Sequence, residues 1–219
     1  IQMPATLEYR RGVQLLADGA GSLLDLPALT SFVDAVSGAT GEYSLLDALN
    51  GGTIIAPNLT KLVGVQLRSR ADGTIPIGQI TDVTNGMLRV FGTTPDFISL
   101  TNIDGSSLLV QDGGLLRLPG VTNFAHDKGA AYQDARFVVE GVGSVLDLPN
   151  LTMIRGGTDL RSDFFVSALS GGLVDLSGLQ SIPGGSVSIQ ADGPGSVIDA
   201  SLLSHWLGEK NLSASGMEA

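Results

Sequence analysis

The sequence predicts an all-β fold made of short stacked units, on three observations. One phrase, Gly-Ser-Val-Leu-Asp-Leu-Pro-Asn-Leu-Thr at residues 143–152, recurs in degenerate copies along the chain. Within each copy apolar and polar residues alternate, which marks a strand with one buried face. The composition suits such a chain, with 30 glycines for corners and only 5% aromatic residues for a slim interior.

The copies align on the residue before the proline: Leu26, Ala56, Ile77, Leu118, Leu148, Leu176 and Ala200. Successive anchors lie 21 to 30 residues apart, except for 41 between Ile77 and Leu118. That wide interval holds two units, with a degenerate copy inside residues 87–103. The chain therefore carries about eight units, in the period range of solenoids.

Two residues before the anchor every copy is aliphatic: Leu24, Ile54, Ile75, Leu116, Leu146, Val174 and Ile198. Three after it stand Leu29, Leu59, Ile80, Val121, Leu151, Leu179 and Leu203, and three further on Phe32, Leu62, Val83, Phe124, Ile154, Ile182 and Trp206. A step of three breaks the strand period, so the chain bends there. Pro27, Pro57, Pro119 and Pro149 fit that bend, because proline fixes φ and has no N–H to donate. A second strand precedes each copy, as in Val65-Gln66-Leu67-Arg68, Phe137-Val138-Val139-Glu140 and Val187-Ser188-Ile189-Gln190. Corners such as Asp18-Gly19, Asp112-Gly113 and Gly141-Val142-Gly143 join the two and supply positive φ. One unit reads strand, glycine corner, strand, proline corner, short strand, variable loop. A lone unit has no closed core. Stacked at about 4.8 Å per rung, eight make a rod roughly 40 Å long.

In chain order, residues 1–12 are a cap or incoming strand, 13–206 the stacked units, and 207–219 a polar tail or linker. Residues 84–105 are the irregular stretch, where strand-like runs persist without the glycine–serine and proline signals. The least repetitive insertion follows at 125–136, and the next unit carries a loop at the same place, 155–163.

The formal net charge of −10 argues against nucleic-acid binding, which needs clustered Lys and Arg. It favours solubility and divalent cations at a surface. With no cysteine, disulfides and Cys-ligated metals are excluded. No apolar run reaches the length of a membrane span. A chain starting at Ile1 reads as a piece of a longer protein or a mature form.

In a solenoid, equivalent loops of adjacent rungs lie side by side. Loops 125–136 and 155–163 would then gather His126, Asp127, Lys128, Tyr132, Asp134, Arg136, Arg155, Asp159, Arg161 and Asp163. The functional reading is a sugar-binding or lyase-like site. Its carboxylates suit Ca²⁺, the one cofactor the sequence suggests, and its cations would neutralise or deprotonate a uronate. The plainer reading is a solvated loop pair with weak surface ion pairs. The column Asp25, Asp147, Asp175 and Asp199 would stack like charges, which recruit cations or face water. The column Thr30, Thr60, Thr81, Thr122 and Thr152, with Ser204, reads as a hydroxyl ladder along the axis. A flat Thr array that binds ice or sugar is the alternative. The sequons at Asn58, Asn150 and Asn211 match a glycosylation acceptor, but two fall inside the repeat phrase. Trp206 reads as core or cap. No Ser-His-Asp set, P-loop or dinucleotide fingerprint is present.

The phrase Leu-Asp-Leu-Pro-Asn-Leu-Thr with its glycine corner resembles repeats in right-handed parallel β-helix domains of large bacterial secreted and surface proteins, over residues 13–206. It also resembles the Leu-x-Leu-Pro-x-x-Thr phrasing of bacterial leucine-rich repeats, whose regular period and helical segment this chain lacks. The first resemblance implies a right-handed parallel β-helix at a bacterial cell surface or outside the cell. It implies adhesins, filaments, or polysaccharide lyases and hydrolases. The expectation is a non-catalytic stalk or presenting module whose partners are flanking domains of the same chain. The alternative is a carbohydrate-binding or lyase-like site at the two loops, with polysaccharide as partner.

Overall fold

The computed structural model describes residues 2–3, 12–35, 43–126, 133–158 and 162–208, the first two by backbone alone. Every regular element among them is a strand, every strand pairing is parallel, and none of these residues is helical. The first strand of each unit joins an eight-stranded sheet, here the front sheet. Its strands run in chain order: Gln14–Asp18, Ser44–Leu49, Val65–Arg70, Met87–Phe91, Ser107–Gln111, Ala135–Glu140, Phe164–Leu169 and Val187–Asp192. Short strands after the glycine corner form two further ladders, and those after the proline corner another two.

The repeat's alternation is what builds the interior. Leu46, Ala48, Leu67, Leu88, Val90, Leu108, Val110, Phe137, Val139, Val166 and Ala168 lie buried at alternate positions of the front strands. They meet Ile54, Leu116, Leu146 and Val174 of the second position and Phe32, Leu62, Val83, Phe124, Ile154 and Ile182 of the third in one cluster. The irregular stretch contains the missing copy, with Phe97, Leu100 and Ile103 standing buried in the three core columns. The N–H of Leu100 closes a turn onto the Phe97 carbonyl at 3.3 Å, as Leu29 does onto Leu26 and Leu151 onto Leu148. The proline thus sits second in a four-residue turn, where its fixed φ is no cost. Phe124, Phe137 and Phe164 pack with ring centroids 4.5–4.9 Å apart, giving units five to seven an aromatic centre.

Polar side chains are spent along the stacking axis. The hydroxyl of Thr81 donates to the Thr60 carbonyl at 3.2 Å and that of Thr152 to the Thr122 carbonyl at 3.1 Å. The amides of Asn58 and Asn150 reach back to the carbonyls of Pro27 and Pro119, at 2.7 and 2.8 Å. Two sequon asparagines are therefore corner braces. Asp175 and Asp199 accept the N–H of Ser177 and Ser201, each at 2.9 Å. Serine replaces proline in those units, so an N–H exists there and the carboxylate satisfies it.

Two expectations need correction. Some corner glycines do bring positive φ, as at Gly19 and Gly113, but Gly73 does not. A Cβ there would collide with the Ala48 carbonyl, so the demand is for close approach of two backbones. Trp206 occupies its expected column, paired with Ile182, yet is 39% exposed because it belongs to the last unit. Residues 209–219, with Asn211, lie outside the described residues.

A cationic face on the central units as candidate functional site

The shortest anchor spacings run from Ala56 through Leu118, and units three and four, with anchors at Ile77 and Phe97, lie within them. Their second strands shrink to single bridges, Thr53 with Thr74 and Asp96 with Arg117. No ladder joins Thr74 to Asp96 among the described residues, and a cleft of about 340 Å³ opens there beside Arg68, Ser69, Arg70, Thr93 and Asp96. The third-position ladder breaks one unit later. Asn102 bridges back to Asp82, while the next ladder starts at Asn123. The Asp104 carboxylate spans the break by accepting the Ala125 N–H at 2.8 Å.

Equal short spacing also aligns like residues on the front sheet. Leu67 and Leu88 face the core, so Arg68, Arg70, Arg89 and Phe91 share the opposite face. Register sets Asp47 beside Arg68, Arg68 beside Arg89, and Arg70 beside Phe91. Asp47 is 2% exposed because Arg68 covers it at 3.3 Å and Arg70 at 3.0 Å. Arg68 Nε also donates to Gln66 at 2.8 Å. The guanidinium carbons of Arg70 and Arg89 lie 4.9 and 5.0 Å from the Phe91 ring centroid, an electrostatically favourable placement. Arg89 meets no carboxylate among the described residues. Its Nε is buried without a partner, and burial first, then repulsion from Arg68 and Arg70, pull its pKa below the usual arginine value. Three of the chain's 12 cationic residues thus crowd one face of an acidic protein. That face can bind an anion.

Sequence reasoning passed over this cluster. The signal was present: Arg68 and Arg89 occupy equivalent positions one short period apart, in two consecutive strand-like runs.

The structure treats the sequence-predicted patch differently. Asp127, Lys128, Tyr132, Asp159 and Arg161 lie outside the described residues. The stems of the two loops do come together. His126 N–H donates to the Arg155 carbonyl at 2.9 Å, and Ala135 N–H to the Asp163 carbonyl at 3.1 Å. His126 is 2% exposed, and its Nε2 lies 2.7 Å from the Gln133 carbonyl. Asp134 accepts the Asp163 N–H at 3.1 Å and pairs with Arg136 at 2.7 Å. Arg136 in turn lies over the Phe165 ring at 4.3 Å. Arg155 is exposed at a cleft of about 300 Å³ that it shares with Thr101, Asn102, Thr122 and Asn123.

Three members of the Asp column stack, with Arg117, Asp147, Asp175 and Asp199 following one another in register, whereas Asp25 stands beside Ile55 in a separate ladder, the second copy carrying isoleucine in the Asp column. Burial pushes the Asp147 carboxyl up, Arg117 at 3.0 Å draws it down, and Asp175 raises it again. Burial likewise raises the Tyr43 hydroxyl, against a lowering hydrogen bond with Ser107. No group of three or more His, Cys, Asp or Glu poised to hold a metal occurs among the described residues. No helix among them is long and apolar enough to cross a membrane. No protein-family model, curated protein or solved structure matches this chain.

Proposed function

We propose that the chain winds as one right-handed parallel β-helix of eight rungs and serves as a non-catalytic stalk or presenting module of a bacterial surface or secreted protein. Support comes above all from one observation: eight front strands pair in strict chain order along a single parallel sheet. Consecutive units joined this way make a stiff object whose length grows with unit number. The polar groups fit the same reading. Threonine hydroxyls, asparagine amides and the later aspartates bind neighbouring backbone, which leaves them committed to the scaffold.

A second reading, carbohydrate binding beside the loops at 125–136 and 155–163, is favoured by the paired loop stems and by Arg155 at its cleft. One experiment separates the two. Solution scattering should give a cylinder about 40 Å long, and a polysaccharide panel with and without Ca²⁺ should show neither turnover nor retention at that cleft. Unsaturated-uronate absorbance, or binding abolished by Arg155→Ala, would reject the non-catalytic stalk.

A further inference from the structure

We propose that Arg68, Arg70 and Arg89 form a site for a doubly charged tetrahedral oxyanion, a phosphate or sulfate group, on the outer face of the front sheet. The inference rests on the strand register and not on the stalk role.

Charge arithmetic points to a dianion. One carboxylate, Asp47, stands against three guanidinium groups and pairs with Arg68 and Arg70 but not Arg89, which leaves two positive charges unmatched among the described residues. Donor geometry points the same way. Asp47 engages Arg68 Nη1 and both Nε and Nη2 of Arg70, while Gln66 engages Arg68 Nε. Arg68 Nη2, Arg70 Nη1 and the whole Arg89 guanidinium make no hydrogen bond with a described residue. These donors come from strands about 4.8 Å apart, close enough to converge on one oxyanion. Guanidinium forks suit such oxygens, and charge-assisted bonds of this kind are the strong ones.

The arginine cluster by itself is electrostatically costly. Arg89 is partly desolvated beside two like charges, and among the described residues the Phe91 ring alone offsets this. A bound dianion removes that penalty, so binding and the missing counter-charge are one fact. The surroundings narrow the occupant. The strand Met87–Phe91 is hydrogen-bonded on both sides, to Val65–Arg70 and Ser107–Gln111, so no extended peptide can add to it. The net charge of −10 repels a long polyanion. A compact group senses mainly the local field, since screening acts within about 8 Å at physiological salt.

The test is calorimetric titration of the whole chain with sulfate, phenyl phosphate and, as monoanion control, chloride, at constant ionic strength. The expected result is one dianion per chain, no chloride heat, and at least tenfold weaker binding in Arg89→Gln and Arg68→Gln. Phenyl phosphate should bind better as pH rises through its second ionisation, near about 6, while sulfate binding stays level. Melting supplies the second readout. Without anion, Arg89→Gln should melt higher than wild type, and added sulfate should raise the melting point of wild type alone. Equal responses to sulfate and chloride would overturn the proposal. So would an Arg89→Gln variant that melts lower without anion, because Arg89 would then be a structural prop for Phe91. Loss of binding with the scattering cylinder intact rejects this site and leaves the stalk reading standing.

Discussion

Units three and four differ from units five to seven in the second strand, which is a single bridge at Thr74 and Asp96 and a full ladder strand in the later units. Around Leu118, Leu148 and Leu176 each unit keeps three strands, and their ladders run unbroken. Around Ile77 and Phe97 the front strand keeps its length while the second strand falls to one bridge. Clefts open at the corners, and the arginines gather where the repeat is shortest. The repeat therefore tolerates deletion at its corners and resists it in the front strand. The aromatic centre and full ladders make units five to seven the expected stable part, and uncommitted arginine donors collect where the second strand is reduced.

Substitutions can sharpen or break that contrast. The largest effect belongs to Phe137→Ala, which empties the centre of the Phe124–Phe137–Phe164 cluster. A loss of about 3–5 kcal/mol is expected in denaturant melts. A loss under about 1 kcal/mol would deny units five to seven their role as the stable part. Next comes Gly73→Ala, which presses a methyl against the Ala48 carbonyl and should cost about 1–3 kcal/mol as overpacking does. If it is silent, the short-unit corner is looser than described.

Thr152→Val should cost about 0.5–1.5 kcal/mol, because its hydroxyl bonds the Thr122 carbonyl at 3.1 Å. Thr122→Val, at the ladder break, should be near neutral. Equal losses would contradict the break.

The smallest effect is a pH dependence. Burial and Asp175 hold the Asp147 carboxyl above its ordinary value despite Arg117. A carboxyl raised on folding favours the fold when protonated, so that contribution is lost as pH rises through the folded value. Wild type should therefore gain on Asp147→Asn as pH falls from neutral through the carboxylate range, followed by urea midpoints. A gain in the opposite direction would mean that the Arg117 pair dominates.

Much of the fold was legible because strand alternation and the step of three are written in consecutive residues. Leu24, Ile54 and Leu146 announce their columns, and the proline turns announce the bends. The degenerate unit was harder, since Phe97-Ile98-Ser99-Leu100 keeps the apolar spacing but drops the proline. The reason for Gly73 was hidden, because the Ala48 carbonyl it admits lies in the neighbouring unit. The cationic face was missed for a similar reason. Arg68 and Arg89 are ordinary outward residues until register fixes them side by side, and the front face was read for its core columns alone. His126 shows the converse, since a histidine in a polar insertion is turned inward onto the Gln133 carbonyl.

The central claim is that eight front strands stack in register along one axis. The chain has no cysteine, so spin labels at Gln14→Cys and Ser188→Cys report one distance. These residues occupy the same column in the first and eighth front strands. Electron–electron dipolar spectroscopy should give a narrow distribution centred at about 34 Å, seven spacings of about 4.8 Å. A centre well below about 25 Å, or a broad distribution without a maximum, would contradict the stacking on which the cationic face and the scaffold both depend.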